Sequence, residues 1–310
     1  MKKEFRLYLT AKMYYVDRMT QTEIAEAFGT SKMMVSRMLK RAETEGIVTF
    51  KVNSPNKINW EMGKQVKECF PLMKEVLVVM PEDEDSRKSV AVVAADYVKS
   101  LLCENNVIGL SWGKTILEFI NEMDVSDVPN LKVVQMSGNF LYTNNYEMMP
   151  SNIVKRFGEK TGATPFFFDA PMFVVNEEIR TLLMQDPLFQ HLEKLFEKMT
   201  ICIFGVSEIS KNATMVRVGV LQDEDLHELI EKGAVGDVMG FFVDGQGEVV
   251  NWSKMSCYMG ATLDVVSKAQ HAICLATGVD KRNITNLVMK RGYCNKAIIS
   301  YDLASELLKI

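Results

Sequence analysis

Apolar positions in the first fifty residues recur at helical spacing. Phe5, Leu9, Met13 and Val16 predict a first helix with one inward stripe. Thr20, followed three residues later by Glu23, predicts a capping box. The threonine oxygen takes a backbone N–H and the glutamate accepts one in return. Ile24, Ala25 and Phe28 then form the buried face of a second helix. Gly29 suits a turn that needs positive φ. Ser31 is expected to cap a third helix over 32–45, with Val35, Met38 and Leu39 inward and Gly46 at its end. The alternation from Ile47 to Val52 predicts a strand that could serve as a wing.

Beyond this head the period changes. Asn53-Ser54-Pro55-Asn56-Lys57 is a polar break, so the expected domains are 1–53 and 58–310 with 54–57 as linker. Strand-like runs at 76–80, 107–110, 131–136, 200–204, 240–243, 272–276 and 297–299 alternate with helical patterns. Those patterns lie near 84–102, 115–123, 145–160, 176–198, 223–232, 281–291 and 302–309. Such alternation predicts a Rossmann-like α/β body with a largely parallel sheet covered on both faces. Phe166, Phe167 and Phe168 read as a further core strand, and Gly233–Asp237 as a tight turn in which Asp237 acts as a cap or a ligand group.

Composition narrows the class. The chain has 310 residues, 47% hydrophobic and 25% charged, which fits a globular protein with a large core and excludes a mostly disordered chain. No apolar run reaches the roughly 18 residues of a membrane span, and no export signal is visible, so a cytoplasmic protein is expected. Six scattered cysteines read as reduced core residues, and the three histidines show no metal-site spacing. Neither a metal nor a cofactor is expected.

Charge is uneven. Residues 1–57 carry eleven Lys/Arg against six Asp/Glu, a balance of +5, whereas 58–310 carry −9. A basic head on an acidic body suggests that only the head meets a polyanion. Two short helices joined by a glycine turn form a helix-turn-helix, whose later helix would enter the major groove. The residues expected to face DNA are Lys32, Met33, Ser36, Arg37, Lys40 and Arg41, with Gln21, Thr22 and Ser31 near the backbone. Arg37 can fork onto guanine or phosphate. The same residues would also suit an ordinary three-helix subdomain with a solvated basic face. The succession of cap, glycine turn, second cap and basic face favours DNA.

In the body, the strand ending at Leu110 runs into Ser111-Trp112-Gly113-Lys114-Thr115 and then a helix. Open amides at the helix start, a lysine and two hydroxyls would make a phosphate cradle. The alternative is a plain strand-to-helix turn with Trp112 in the core. The segment is not a nucleotide-binding P-loop, whose spacing would need glycine where Ile108 stands.

Head and body together resemble the SorC family of sugar-binding transcriptional regulators. The segment YYVDRMTQTEIAEAFGTSKMMVSRMLKRAETEGIV is similar to that family's DNA-binding region, and GLSWGKT (109–115) to its effector loop. KVVQMSGN (132–139), GATPFFFDAP (162–171), GAVGDVMGFFVDGQG (233–247), ATGVDK (276–281) and NKAIISYDLASELL (295–308) fit later family segments. The resemblance implies a winged helix-turn-helix joined to a sugar-phosphate-isomerase-like effector domain. It also implies a phosphorylated sugar as effector, double-stranded operator DNA as partner, a homo-oligomer (dimer or tetramer), repressor-type regulation and no catalysis. Gly109, Ser111, Trp112, Gly113, Lys114 and Thr115 would surround phosphate. Gly138 and Asn139 would line the next loop, Asp237 would accept sugar hydroxyls, and Lys281 would meet a second anionic group. The chain departs from the family pattern at Ser137–Asn139, at Thr277-Gly278 and at Tyr301-Asp302, in or near that expected site. The rival expectation is a sugar-phosphate isomerase or deaminase carrying a DNA-binding head, which would need an acid/base group over the sugar.

Overall fold

A computed structural model describes residues 3–50, 58–81, 85–124, 128–140, 146–211 and 213–309. The chain divides into two compact units, Met1–Pro55 and Asn56–Ile310.

The first unit holds α1 (Lys3–Ala11), a π-helical turn (Lys12–Val16), α2 (Gln21–Ala27) and α3 (Lys32–Thr44). Its core joins Leu7, Ala11, Ile24, Ala25, Val35, Met38, Leu39 and Ala42. The capping box forms as expected: Glu23 N–H donates to Thr20 Oγ1 at 3.3 Å and Thr20 N–H to Glu23 Oε2 at 2.7 Å. Two expectations change. The inward stripe of the first helix is Leu7, Thr10 and Ala11, while Phe5 and Val16 are exposed at 51% and 70%. The π-turn over Lys12–Val16 inserts a residue into the helical register and so bears on Val16; Phe5, which precedes it, lies off the Leu7-Thr10-Ala11 stripe. The expected wing does not form over residues 47–50, and 51–52 lie outside the described residues. Ile47 N–H instead donates to Ala42 O at 2.9 Å and Gly46 N–H to Glu43 O at 3.1 Å, with Gly46 at φ +72°. This is a Schellman closure that uses the strand's first amide to finish α3.

The second unit runs α4 (Trp60–Cys69), β1 (Glu75–Val79), α5 (Ser86–Leu101), β2 (Val107–Leu110), α6 (Lys114–Glu122), β3 (Lys132–Gln135), α7 (Pro150–Thr161) and β4 (Thr164–Phe166). It continues with α8 (Glu177–Met184), α9 (Pro187–Phe196), β5 (Ile201–Glu208), α10 (Thr214–Arg217), α11 (Asp223–Glu231), β6 (Ala234–Val238) and β7 (Phe241–Asp244). It closes with α12 (Leu263–Ser267), β8 (His271–Ala276), α13 (Arg282–Lys290), β9 (Lys296–Ser300) and α14 (Tyr301–Leu307). Seven strands lie parallel in the order β1-β9-β8-β5-β2-β3-β4, and the β6–β7 hairpin extends β5 antiparallel. Central strands are continuously apolar because both faces are covered: Ile201–Phe204 and Ala272–Ala276 are wholly buried.

Local chemistry explains where this departs from the sequence reading. The single helix expected over 176–198 is two, because Asp186 caps a new helix whose first residue is Pro187. Pro150 likewise starts α7, with Tyr146–Met148 a separate 3₁₀ turn. Of the three phenylalanines only Phe166 lies in a strand; Phe168 fills the core 5.0 Å from Phe189. Gly233–Asp237 is not a turn: residues 234–238 form β6, bulged between Ala234 and Gly236. Four cysteines are buried, but Cys69 and Cys103 are exposed. No helix among the described residues is long and apolar enough to cross a membrane.

Chain order makes a crevice. From β2 the chain moves to β3 and β4 on one side; from β5 it moves to β8 and β9 on the other. The carboxyl ends of β2 and β5 therefore flank a switch point, where open α/β sheets bind ligands.

Candidate nucleic-acid face and effector cavity

On the first unit, Ser31 Oγ accepts the Met34 N–H at 3.2 Å and starts α3. Its buried face uses Val35, Met38, Leu39 and Ala42. The opposite face therefore presents Lys32, Met33, Ser36, Arg37, Lys40 and Arg41, all exposed. Met33 is 67% exposed, an apolar group suited to a thymine methyl. Arg41 Nε is paired with Glu45, one turn on in the same helix. That leaves Lys32, Arg37 and Lys40 as the face's cations without a carboxylate partner among the described residues. Gln21 and Thr22 sit in the first turn of α2, partly and fully exposed.

On the second unit, a cavity of about 440 Å³ opens at the switch point. Its wall is built from the segments that follow β1, β2 and β8, from the end of β5, from the start of α10 and from Asp237 and Met239 of the hairpin. Ser111, Trp112, Gly113, Lys114, Thr115, Asp237 and Lys281 all line it. Gly113 is the N-cap of α6 at φ +128°, a conformation that L side chains rarely adopt, and no side chain caps the helix. The first amides of α6 are thus left open. Trp112 lies against Phe140, ring centres 4.7 Å apart, so it is both core and wall.

Three expected site residues do not line the cavity. Gly109 faces the core, where an added Cβ would strike the sulfurs of Met136 and Met199. Gly138 is pressed against the backbone of Ala170 and Pro171. Asn139 Oδ1 accepts the Ser151 N–H at 3.1 Å, and its backbone pairs with Ala170 and Met172. Each does a packing job that excludes it from the wall.

Electrostatics distinguish the remaining groups. Burial pushes Asp237 up to about 7, against the opposing pull of the Gly240 N–H (3.2 Å) and of Lys281. Burial holds Lys281 below the ordinary lysine range although Asp280 opposes it, and Arg87 adds to the lowering. Burial, Arg217 and Arg87 lower Lys114. Sequence reasoning missed Arg87, which enters from the first turn of α5, and Thr277, Glu208 and Met239, which also line the wall. The local signal for the start of α5 was Asp85, whose Oδ1 accepts the Arg87 N–H at 3.0 Å. Nothing local could reveal that this helix start meets those of α6 and α13.

Residues 54–309 match the protein family described as "Putative sugar-binding domain". The chain is 24% identical over 305 residues to the deoxyribonucleoside regulator of Bacillus subtilis (strain 168), covering 96% of this chain and 95% of that one. It is 23% identical over 303 residues to the sorbitol operon regulator of Klebsiella pneumoniae, covering 96% of each. The crystal structure of that full-length regulator, SorC, superposes with a TM-score of 0.73 at 22% identity, covering 99% of both chains.

Proposed function

The chain belongs to the SorC family of sugar-binding transcriptional regulators, and from that premise we propose that a phosphorylated sugar in the second unit sets the affinity of the first unit for operator DNA. The observation that carries the reading is the cavity at the switch point, with the uncapped start of α6, Lys114 and two buried hydroxyls on one side and a carboxyl group, Asp237, on another. Open amides and a cation suit a phosphate. A carboxylate suits sugar hydroxyls, to which it can only accept.

The first unit supplies the DNA contact. Lys32, the first residue of α3, and Arg37, further along the same exposed face, would reach base edges or phosphates, and Lys40 would hold the backbone. A homodimer would set two such heads on half-sites about 34–36 Å apart, or a multiple of that spacing. The effector controls DNA affinity only by binding the DNA-competent and incompetent arrangements unequally. A coupling of roughly 1–3 kcal/mol corresponds to about 5–150-fold. The test is an operator-binding titration with and without a panel of phosphosugars; an operator affinity indifferent to every member would refute the proposal.

A second reading, slow isomerase- or deaminase-type turnover, is favoured by one observation: an acid pushed up to about 7 beside a phosphate cradle is tuned for proton transfer near neutrality. Turnover of a phosphosugar by the full chain, lost in Asp237→Asn, would support it. No turnover across the same panel would reject it.

A further inference from the structure

Three helical segments of the first unit close with a residue in the left-handed region. After α2 it is Gly29 (φ +58°), after α3 it is Gly46 (φ +72°), and after the π-helical turn it is Arg18 (φ +60°). Glycine is the usual residue at such a closure because it has no Cβ to clash. Backbone bonds on both sides hold Arg18 in place. The Asp17 N–H donates to Lys12 O and the Met19 N–H to Met13 O, each at 3.0 Å. Among the described residues, four that are not glycine have positive φ: Arg18, Asn105, Asn130 and Met239. Asparagine tolerates this backbone. Met239 lines the effector cavity. Arg18 therefore keeps a long cationic side chain where glycine would relieve the backbone, which is the kind of strain found at functional positions.

A second, independent observation concerns charge. Arg18 is exposed, and its guanidinium has no carboxylate partner among the described residues. Four of the unit's carboxylates, the two nearest in sequence included, are committed elsewhere. Asp17 accepts from Lys12 Nζ through both oxygens at 2.7 Å. Glu23 accepts the Thr20 N–H and hydroxyl, Glu43 the Tyr15 hydroxyl and Glu45 the Arg41 Nε. Arg6 lies over the Phe28 ring, 5.4 Å from its centre. Between residues 4 and 50, the cations left without such a partner are Arg18, Lys32, Arg37 and Lys40. Three of them share the exposed face of α3. The fourth, Arg18, stands three residues before Gln21 and four before Thr22, which are expected near the DNA backbone.

We propose that Arg18 is a phosphate clamp, which holds the duplex backbone beside the recognition helix and adds affinity without reading sequence. Its place in the chain favours phosphate over base, because base edges are reached from α3. A guanidinium forks onto a phosphate with two parallel N–H···O bonds, and such contacts carry no sequence information. Neutralising one more phosphate releases counterions, so the contact must show in the salt dependence of binding. The left-handed backbone aims the side chain out of the loop, and the free guanidinium awaits an anion from outside the chain. The inference rests on the DNA reading above and adds to it a contact from outside the two helices of the motif.

The test is fluorescence anisotropy of the full chain on two duplexes across a salt series. One is a fragment that the protein selects from a genomic pool, and the other is a scrambled duplex of the same length. R18G and R18Q should each weaken binding by roughly 3–10-fold near ~0.1 M salt and make the slope of log affinity against log salt shallower by about 0.9. The factor should be the same on both duplexes, since a phosphate is common to them. R18K keeps both the charge and the strained backbone and should stay close to the parent. Free of DNA, R18G should melt no lower than the parent, because glycine fits φ +60°; a lower melting point would overturn the strain argument. Three variants that bind like the parent overturn the clamp and leave the DNA reading intact. Losses confined to the selected fragment overturn the phosphate assignment, and an R18K as weak as R18Q overturns the charge contact. A parent that binds neither duplex overturns the clamp and the DNA reading together.

Discussion

Asp237→Asn isolates one buried group whose consequence has a computable sign. Asp237 is 8% exposed on β6, and burial raises it from 3.8 to about 7. The unfolded chain therefore gives up this proton first. The stability tied to the protonated form is fully present below pH 3.8 and is lost as pH rises to about 7. At about 1.36 kcal/mol per pH unit, the ionised carboxylate weakens the fold above pH 7 by roughly 4 kcal/mol. Asparagine keeps an acceptor for the Gly240 N–H (3.2 Å) and does not titrate. The stability of the variant relative to the parent should rise by roughly 2–3 kcal/mol between pH 5 and pH 8. Urea unfolding followed by tryptophan fluorescence is the assay, since Trp60, Trp112 and Trp252 all lie in the second unit. A stability difference that stays constant across this range would refute the reasoning.

Other perturbations address other links. Arg37→Ala should weaken operator binding by about 1–3 kcal/mol if the guanidinium reads a base, measured by anisotropy at fixed salt. Ile24→Ala, in the core of the first unit, should destabilise that unit by roughly 2–5 kcal/mol and abolish DNA binding. Phosphosugar binding to the second unit should survive it, as calorimetry would report. Gly113→Ala meets no atom within 4 Å, so its cost is the backbone at φ +128°, on the order of 1–3 kcal/mol; melting should fall and phosphate affinity with it.

The legible parts of this protein were those set by neighbours along the chain. The caps at Thr20 and Ser31, the glycine after α2 and the buried central strands each follow from a few adjacent residues. Over 47–50 the strand reading failed because Ile47 and Gly46 spend their amides on closing α3, a competition that alternating hydrophobicity does not express; 51–52 lie outside the described residues. β6 was misread because a glycine-rich segment becomes a strand only when β5 and β7 are present to pair with it. At the site, Ser111–Thr115 could be picked out because strand, glycine and helix are contiguous. Arg87 could not, because only the folding of β1 and β2 into one sheet, and α5 against α6, brings it to that wall. Gly109 and Gly138 differ the other way, because glycines that serve close packing resemble glycines that serve a ligand, and Asn139 spends its Oδ1 on the Ser151 N–H.

The most direct test measures operator affinity by fluorescence anisotropy, using a DNA fragment the protein itself selects from a genomic pool. Titrations run with and without the phosphosugar that binds best, for the parent and for Lys114→Ala. The parent should shift its operator Kd by about 5–150-fold on saturation. Lys114→Ala should bind the ligand-free operator like the parent and respond weakly or not at all. A parent whose DNA affinity ignores the bound sugar, or a Lys114→Ala variant that responds as fully as the parent, would contradict the account.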